Sequence, residues 1–126
     1  MKAEDIMKKP LVISENEDIN EAAKIMSDRG VGSLVVESKG KLKFFIDEMD
    51  VLKNFQKNKK ISEVLKTPSL IVAPDADLEE VLEKMKSKKT RRVFVIDKGE
   101  IVGVISLIDL INYLDDVEID DSFFFD

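Results

Sequence analysis

Hydrophobic positions along the chain show strand-like and helix-like spacings, and the same order of spacings occurs twice. A short apolar run after a proline (11–13, then 70–72) predicts a strand, and apolar residues spaced three and four apart then predict a helix. Two apolar runs separated by Lys-Gly predict a hairpin in each half, and a second helix closes each half near 48–55 and 107–114. The pattern therefore predicts a mixed α+β fold of two β-α-β-β-α units.

The two halves are an internal repeat with an offset of 59 residues, because DINEAAKIM at 18–26 returns as DLEEVLEKM at 77–85. We predict repeats at 1–56 and 61–114, a polar link at 57–60 and a separate tail at 115–126. A half of this size is only marginally stable alone. The repeats are therefore expected to pack together about a pseudo-twofold axis.

The first helix of each repeat carries recognisable boundary signals. An Asp-x-x-Glu pair precedes both helices, as Asp18 with Glu21 and as Asp77 with Glu80, and this spacing predicts a capping box. Gly30 is the expected end of the first of these helices.

Composition excludes several kinds of chemistry. The 126 residues include no cysteine and no histidine, which removes disulfides, thiolate metal sites and the usual general base. No combination of acids and bases resembles a catalytic constellation, so we expect neither an enzyme, a catalytic cofactor nor a metal site. No apolar run of about 18 residues exists, and the sequence MKAEDIMKKP does not resemble a signal peptide. The expected location is the cytoplasm, with no membrane partner.

The net charge of −6 is confined to the end of the chain, where residues 115–126 hold six acids and no base. Because the remainder is neutral, nucleic acid is not an expected partner. One basic run stands out, with six cations between Lys84 and Arg92. It is either a solvated helix face or an anion-binding patch.

The repeat resembles a known family. TRRVFVIDKGEIVGVISLIDLINYL, at 90–114, is similar to the signature of the CBS (cystathionine β-synthase) domain, and VGSLVVESKGKLKFFIDEMDVLKNF, at 31–55, is a looser match. The resemblance covers residues 1–114 and implies a stand-alone regulatory module that forms homodimers. It also implies an adenosine-containing ligand (AMP, ADP, ATP or S-adenosylmethionine) in the cleft between the repeats, whose binding is passed to a partner protein.

Residues of the second repeat suit such a ligand. Ser106 precedes a helix whose N-terminal N–H groups favour phosphate, and Asp109, one turn later, offers a carboxylate to the ribose hydroxyls. Gly103 allows a close backbone approach to a ligand, and two arginines are placed to pair with phosphate. The resemblance adds contacts to adenine, so the complete predicted site is Thr67, Pro68, Ile71, Arg91, Arg92, Gly103, Ser106 and Asp109. The same Ser-x-x-Asp pattern also forms an ordinary helix cap.

The first repeat departs from the pattern. Phe44 replaces the glycine and Asp47 replaces the serine, while Asp50 keeps the aspartate. Because a carboxylate at the cap repels phosphate, we expect this site to be weakened or to take a ligand without phosphate. One nucleotide per chain is expected. The weaker site is predicted to comprise Pro10, Val12, Ser33, Asp47 and Asp50.

The tail supports a second hypothesis. Phe123, Phe124 and Phe125 stand between acids, and exposed aromatic runs promote association. The alternative to a ligand sensor is therefore a ligand-free dimerisation scaffold that uses this tail to hold a protein partner.

Overall fold

A computed structural model of the protein describes residues 1–113, so the predicted tail lies outside the described residues. The strands are β1 (Val12–Ser14), β2 (Ser33–Ser38), β3 (Lys41–Asp47), β4 (Ile71–Val72), β5 (Arg92–Asp97) and β6 (Glu100–Ser106). The helices are α1 (Ala3–Ile6), α2 (Ile19–Arg29), α3 (Glu48–Asn54), α4 (Leu78–Lys88) and α5 (Leu107–Ile111), with a 3₁₀ turn at Ile61–Glu63. The predicted α+β class and the doubled β-α-β-β-α order are confirmed.

The chain divides into two compact units. One is Pro10–Pro68, and the other combines Met1–Lys9 with the chain from Ser69 onward. Each contains one three-stranded sheet, ordered β1-β2-β3 or β4-β5-β6. In both, the first pair of strands is parallel and the second antiparallel. The boundaries of these units differ from those of the sequence repeats. Residues 1–9 precede the first repeat's proline but belong to the unit of the second sheet, and residues 61–67 precede the second repeat's proline but belong to the unit of the first sheet.

Both hairpins turn through the predicted Lys-Gly pair. Lys39 and Gly40 have φ of 53° and 74°, and Lys98 and Gly99 have φ of 52° and 79°. Two consecutive positive φ values are typical of the type I′ turn, whose twist matches that of the strands it joins. Glycine at the second position adopts this conformation without a Cβ penalty.

Each unit has its own apolar core between the sheet and its helices. In the unit Pro10–Pro68, the apolar stripe of α2 packs against one face of β2 and β3. In the other unit, the stripe of α4 packs in the same way against β5 and β6. The N-terminal segment completes this second core, since Ala3 and Ile6 are both buried in it.

The N-terminal segment also extends the sheet of its unit. The N–H of Lys8 donates to the carbonyl of Val104 at 2.9 Å, and Val104 returns a bond of 3.0 Å. The other unit has the equivalent pairing, in which Phe45 and Lys66 exchange bonds of 2.9 and 3.1 Å. The sequence pattern did not predict either pairing, because a single residue pair leaves no periodicity.

The boundary predictions for α2 and α4 had different outcomes. Asp18 caps α2 by accepting the N–H of Glu21 at 2.9 Å, so one half of the predicted box forms, and Gly30 ends the helix at φ 64°, as predicted. The predicted box at Asp77 is wrong, since this side chain makes no cap bond and pairs instead with Lys2 Nζ at 2.7 Å. Within residues 1–113, no helix is long and apolar enough to cross a membrane.

Candidate functional site

The junction of β6 and α5 is built as a reciprocal cap. Ser106 Oγ accepts the N–H of Asp109 at 3.2 Å, while Asp109 Oδ2 accepts the N–H of Ser106 at 3.3 Å. The N–H of Leu107 donates to the carbonyl of Arg91 at 2.8 Å. Two amides that the sequence analysis offered to phosphate, those of Leu107 and Asp109, are therefore already bonded within the chain. The capping interpretation of Ser-x-x-Asp is realised, and Asp109 is held in one orientation.

Lys8 fixes the other oxygen of the same carboxylate. Its Nζ lies 3.0 Å from Asp109 Oδ1, and the Asp109 side chain is only 14% exposed. Burial alone would raise the pKa of Asp109, but the bonds from Lys8 and Ser106 outweigh it, and the pKa is lowered. Asp109 is therefore a carboxylate at neutral pH. Each oxygen keeps an unused lone pair that can accept a hydroxyl.

Strand register places three of the predicted residues on one face of the sheet. Arg92 lies opposite Ser106, and Ile71 lies opposite Phe94, which in turn lies opposite Val104. Paired residues, and residues two apart on a strand, share a face. Ile71, Arg92 and Ser106 therefore point to the same side. Ile71 is on the edge strand and is 48% exposed, so it offers apolar surface to a ligand.

Gly103 lies on the opposite face and packs against Met7. A Cβ added to Gly103 would lie 2.7 Å from Met7 Cγ and 2.8 Å from Met7 Cβ. Gly103 is also buried. The absence of a side chain at Gly103 therefore makes room for Met7. Met7 therefore occupies the side of Gly103 on which a side chain would project.

The remaining predicted residues are not on the strands that form this face. Arg91 precedes β5 and is exposed, with its carbonyl bonded to the start of α5. Thr67 and Pro68 belong to the unit Pro10–Pro68. They are not in the unit that contains Ser106 and Asp109.

The weaker predicted site is a close structural counterpart. Val12 lies opposite Val35, which lies opposite Phe45, and Ser33 lies opposite Asp47. Val12, Ser33 and Asp47 therefore share a face, and Val12 is 45% exposed on its edge strand. Pro10 precedes this strand. Asp47 and Asp50 cap α3 reciprocally, with Asp47 Oδ1 accepting the N–H of Asp50 at 3.1 Å and Asp50 Oδ2 accepting that of Asp47 at 2.9 Å.

Lys66 is the counterpart of Lys8 and contacts both carboxylates. Its Nζ lies 2.9 Å from Asp47 Oδ2 and 3.2 Å from Asp50 Oδ2. Burial favours the neutral form of Lys66, but the hydrogen bonds that it donates to the two carboxylates prevail and its pKa is raised. The pKa of Asp47 is lowered because its bonds to Lys66 and Asp50 outweigh the effect of burial. Two acids and one lysine leave this cap with a net negative charge, which disfavours phosphate.

Sequence reasoning missed both lysines and the methionine that faces Gly103. A signal was present, because Lys-Lys-Pro at 8–10 returns as Lys-Thr-Pro at 66–68. The repeated lysine two residues before each proline marks the position. Among residues 1–113, no group of three or more aspartate or glutamate side chains is arranged to hold a metal ion.

Comparison with protein families gives a match over most of the chain. The model described as the CBS domain matches twice, at residues 3–57 and 61–116. The CBS domain-containing protein YhcV of Bacillus subtilis is 30% identical, over 78% of this chain and 74% of its own length. The uncharacterized protein MJ0450 of Methanocaldococcus jannaschii is also 30% identical, over 84% of this chain. The chain spans 62% of the length of MJ0450.

A solved structure with the same fold contains adenosine compounds. It is the CBS domain pair of protein MJ0100, in complex with 5′-methylthioadenosine and S-adenosyl-L-methionine. The TM-score is 0.76 at 28% sequence identity, and the alignment covers 89% of this chain and 94% of that one.

Proposed function

The chain belongs to the CBS domain family, and on that premise we propose that it is a regulatory module that binds an adenosine-containing ligand. The proposal assigns it binding and no catalysis. A ligand that binds one conformation more tightly than another shifts the equilibrium toward the first. The size of the shift is set by the difference in binding free energy. A partner protein that recognises that conformation would then respond to the ligand concentration.

The observation that carries the proposal is the carboxylate of Asp109, held in one orientation at the same end of the sheet as the exposed edge residue Ile71. Lys8 and Ser106 fix the Asp109 side chain, so little rotamer entropy is lost when a ribose hydroxyl binds. Ile71 shares a sheet face with Ser106, which caps the same helix as Asp109. A nucleoside matches both features. Its base is planar and largely apolar, which suits Ile71, and its ribose carries hydroxyl donors, which suit the Asp109 carboxylate.

Similarity to the MJ0100 pair supports the ligand class. That protein is crystallised with two compounds that share adenosine and differ in what is attached to the ribose. The shared part is the part that Asp109 and Ile71 are placed to recognise. We therefore expect recognition of adenosine itself, with the attached group tuning affinity.

Isothermal titration with AMP, ATP and S-adenosylmethionine tests the proposal, using the full chain and two matched variants. Asp109→Ala removes the proposed ribose acceptor, and Asp50→Ala removes the equivalent carboxylate of the other unit. Both lose a similar cap bond and a similar lysine contact, so their folding costs are comparable. We expect saturable binding that Asp109→Ala loses and Asp50→Ala retains.

Two results would contradict the proposal. Binding that survives Asp109→Ala, in protein shown by circular dichroism to be folded, would remove Asp109 from the site. Absence of binding by all three compounds in folded wild-type protein would remove the ligand-sensing function and favour the interaction scaffold.

We also propose that two copies of the module associate through α3. This helix has no buried residue, and three large apolar side chains at its exposed surface are Met49 at 52%, Leu52 at 71% and Phe55, just after it, at 52%. An exposed apolar patch of this kind marks an association surface. A second copy of the chain would bury it.

A further inference from the structure

A cavity of about 260 Å³ lies at the edge of the sheet in the unit that contains Asp109. Its apolar part is formed by Leu70 and Ile71, at the start of β4. Its polar part comes from Ser69 and from the last two turns of α4. The complete lining is Ser69, Leu70, Ile71, Lys84, Ser87 and Lys88.

The two lysines give this cavity a positive charge. Lys84 and Lys88 are four residues apart on α4, so they lie on the same side of the helix. Within residues 1–113, neither lysine side chain forms an ion pair or a hydrogen bond. Lys86, by contrast, does not line the cavity, and its Nζ lies 3.9 Å from Glu83 Oε1. The lining thus provides two ammonium groups and two hydroxyls as donors, and no carboxylate.

The equivalent helix of the other unit lacks this pair. Helices α2 and α4 each have eleven residues, so Lys84 corresponds to Ile25 and Lys88 to Arg29. Ser87 corresponds to Asp28. Ile25 packs against the core of its unit, and the charges of Asp28 and Arg29 cancel. The cationic cavity is therefore a feature of one unit and not of the shared fold.

The cavity lies at the same end of the sheet as Asp109, because β4 and β5 begin where β6 ends. Ile71 borders the cavity and is separated from Val104 of β6 by one strand. Two strand spacings amount to about 10 Å, and Asp109 follows β6 closely. The N-terminal amides of α5 that would otherwise attract an anion are bonded to Ser106 and Arg91. An anionic group of the ligand would therefore bind more favourably to the two lysines than to these amides.

We propose that Lys84 and Lys88 form an anion subsite that makes this unit select negatively charged adenosine ligands over neutral or cationic ones. The inference rests on the proposed function, because it assigns the charge of the ligand that Asp109 and Ile71 bind. AMP is the expected ligand type, and S-adenosylmethionine, with its sulfonium and ammonium groups, is disfavoured.

The test compares AMP with adenosine in full-length protein by isothermal titration at 0.1 M and 1 M NaCl. Wild-type protein should bind AMP at least about tenfold more tightly than adenosine at 0.1 M salt, because ion pairing adds to the shared contacts. The preference should shrink at 1 M salt, where the Debye length falls from about 10 Å to about 3 Å.

Variants locate the effect. Lys84→Met with Lys88→Met should weaken AMP binding about tenfold and leave adenosine binding unchanged, since methionine keeps helix propensity and apolar stem. Lys86→Met removes the same charge from the same helix outside the cavity, and it should change AMP binding less than twofold.

The outcomes separate the two proposals. Equal affinity for AMP and adenosine, or equal effects of the cavity variant and Lys86→Met, would overturn the anion subsite and leave ligand sensing intact. Absence of binding by AMP, adenosine and S-adenosylmethionine alike would overturn both.

Discussion

Replacing Gly103 with alanine tests the packing of the N-terminal segment against the sheet. The added methyl would lie 2.8 Å from Met7 Cβ and 2.7 Å from Met7 Cγ, well inside van der Waals contact. Met7 Cβ moves only with its backbone. That backbone is tied on both sides, by the bond of 3.0 Å from the Met7 N–H to the carbonyl of Ala3 and by the pairing of Lys8 with Val104.

The expected cost is that of overpacking a buried site. Inserting a methyl into a close-packed interior typically costs about 1–3 kcal/mol, and the constraint on Met7 places this case within that range. For a protein of this size, each kcal/mol lowers Tm by about 3–6 °C. The loss should appear without any ligand, since both partners belong to the protein.

Urea unfolding of the ligand-free protein measures the effect. In a Met7→Gly background the Cβ, Cγ and Sδ are gone, so Gly103→Ala should then cost less than about 0.5 kcal/mol. An unchanged urea midpoint for Gly103→Ala in the wild-type background would refute the packing argument. If only AMP affinity fell, Gly103 would instead be a position of ligand approach.

Three further predictions follow from the charges and exposed surfaces. The pKa values of Asp47 and Asp109 are lowered, so their stabilisation is complete above the ordinary aspartate pKa of about 3.9 and is lost as pH falls through the lower folded values. With no histidine in the chain, the urea midpoint should be flat from pH 7 to 5 and fall below about pH 4; a decline already complete by pH 5.5 would contradict this. Lys66→Met leaves the carboxylates of Asp47 and Asp50 unbalanced and should cost about 1 kcal/mol in urea unfolding, while Lys53→Met, on α3 but outside that cluster, should cost almost nothing; equal costs would deny the cluster a role. Leu52→Lys should convert a dimer to a monomer in light scattering with Tm nearly unchanged, and an unaltered mass would place the dimer interface elsewhere.

Local features of the fold were predictable from sequence. The Lys-Gly pairs define both hairpin turns, because a type I′ turn needs two consecutive positive φ values within a few residues. Alternation along β6 was equally local, with Ile101, Gly103 and Ile105 buried between less buried neighbours. Such patterns require no knowledge of distant partners.

Pairings between distant segments were not predictable in the same way. Asp77 carries the same Asp-x-x-Glu pattern as Asp18, but Lys2 binds its carboxylate and no cap bond forms. The position of Met7 against Gly103 likewise depends on a segment 96 residues away in sequence. Sequence spacing predicts Asp109 as a candidate site residue, and only the structure shows Lys8, which orients its carboxylate.

The most direct test of the central claim is a ¹H–¹⁵N correlation spectrum of the full chain recorded during titration with AMP. The account predicts saturable shifts of the amides of Ile71, Leu107 and Asp109, with smaller effects at Val12 and Asp50. Shifts confined to Val12, Asp50 and their neighbours would place the ligand in the other unit. A spectrum that AMP leaves unchanged would contradict the account as a whole.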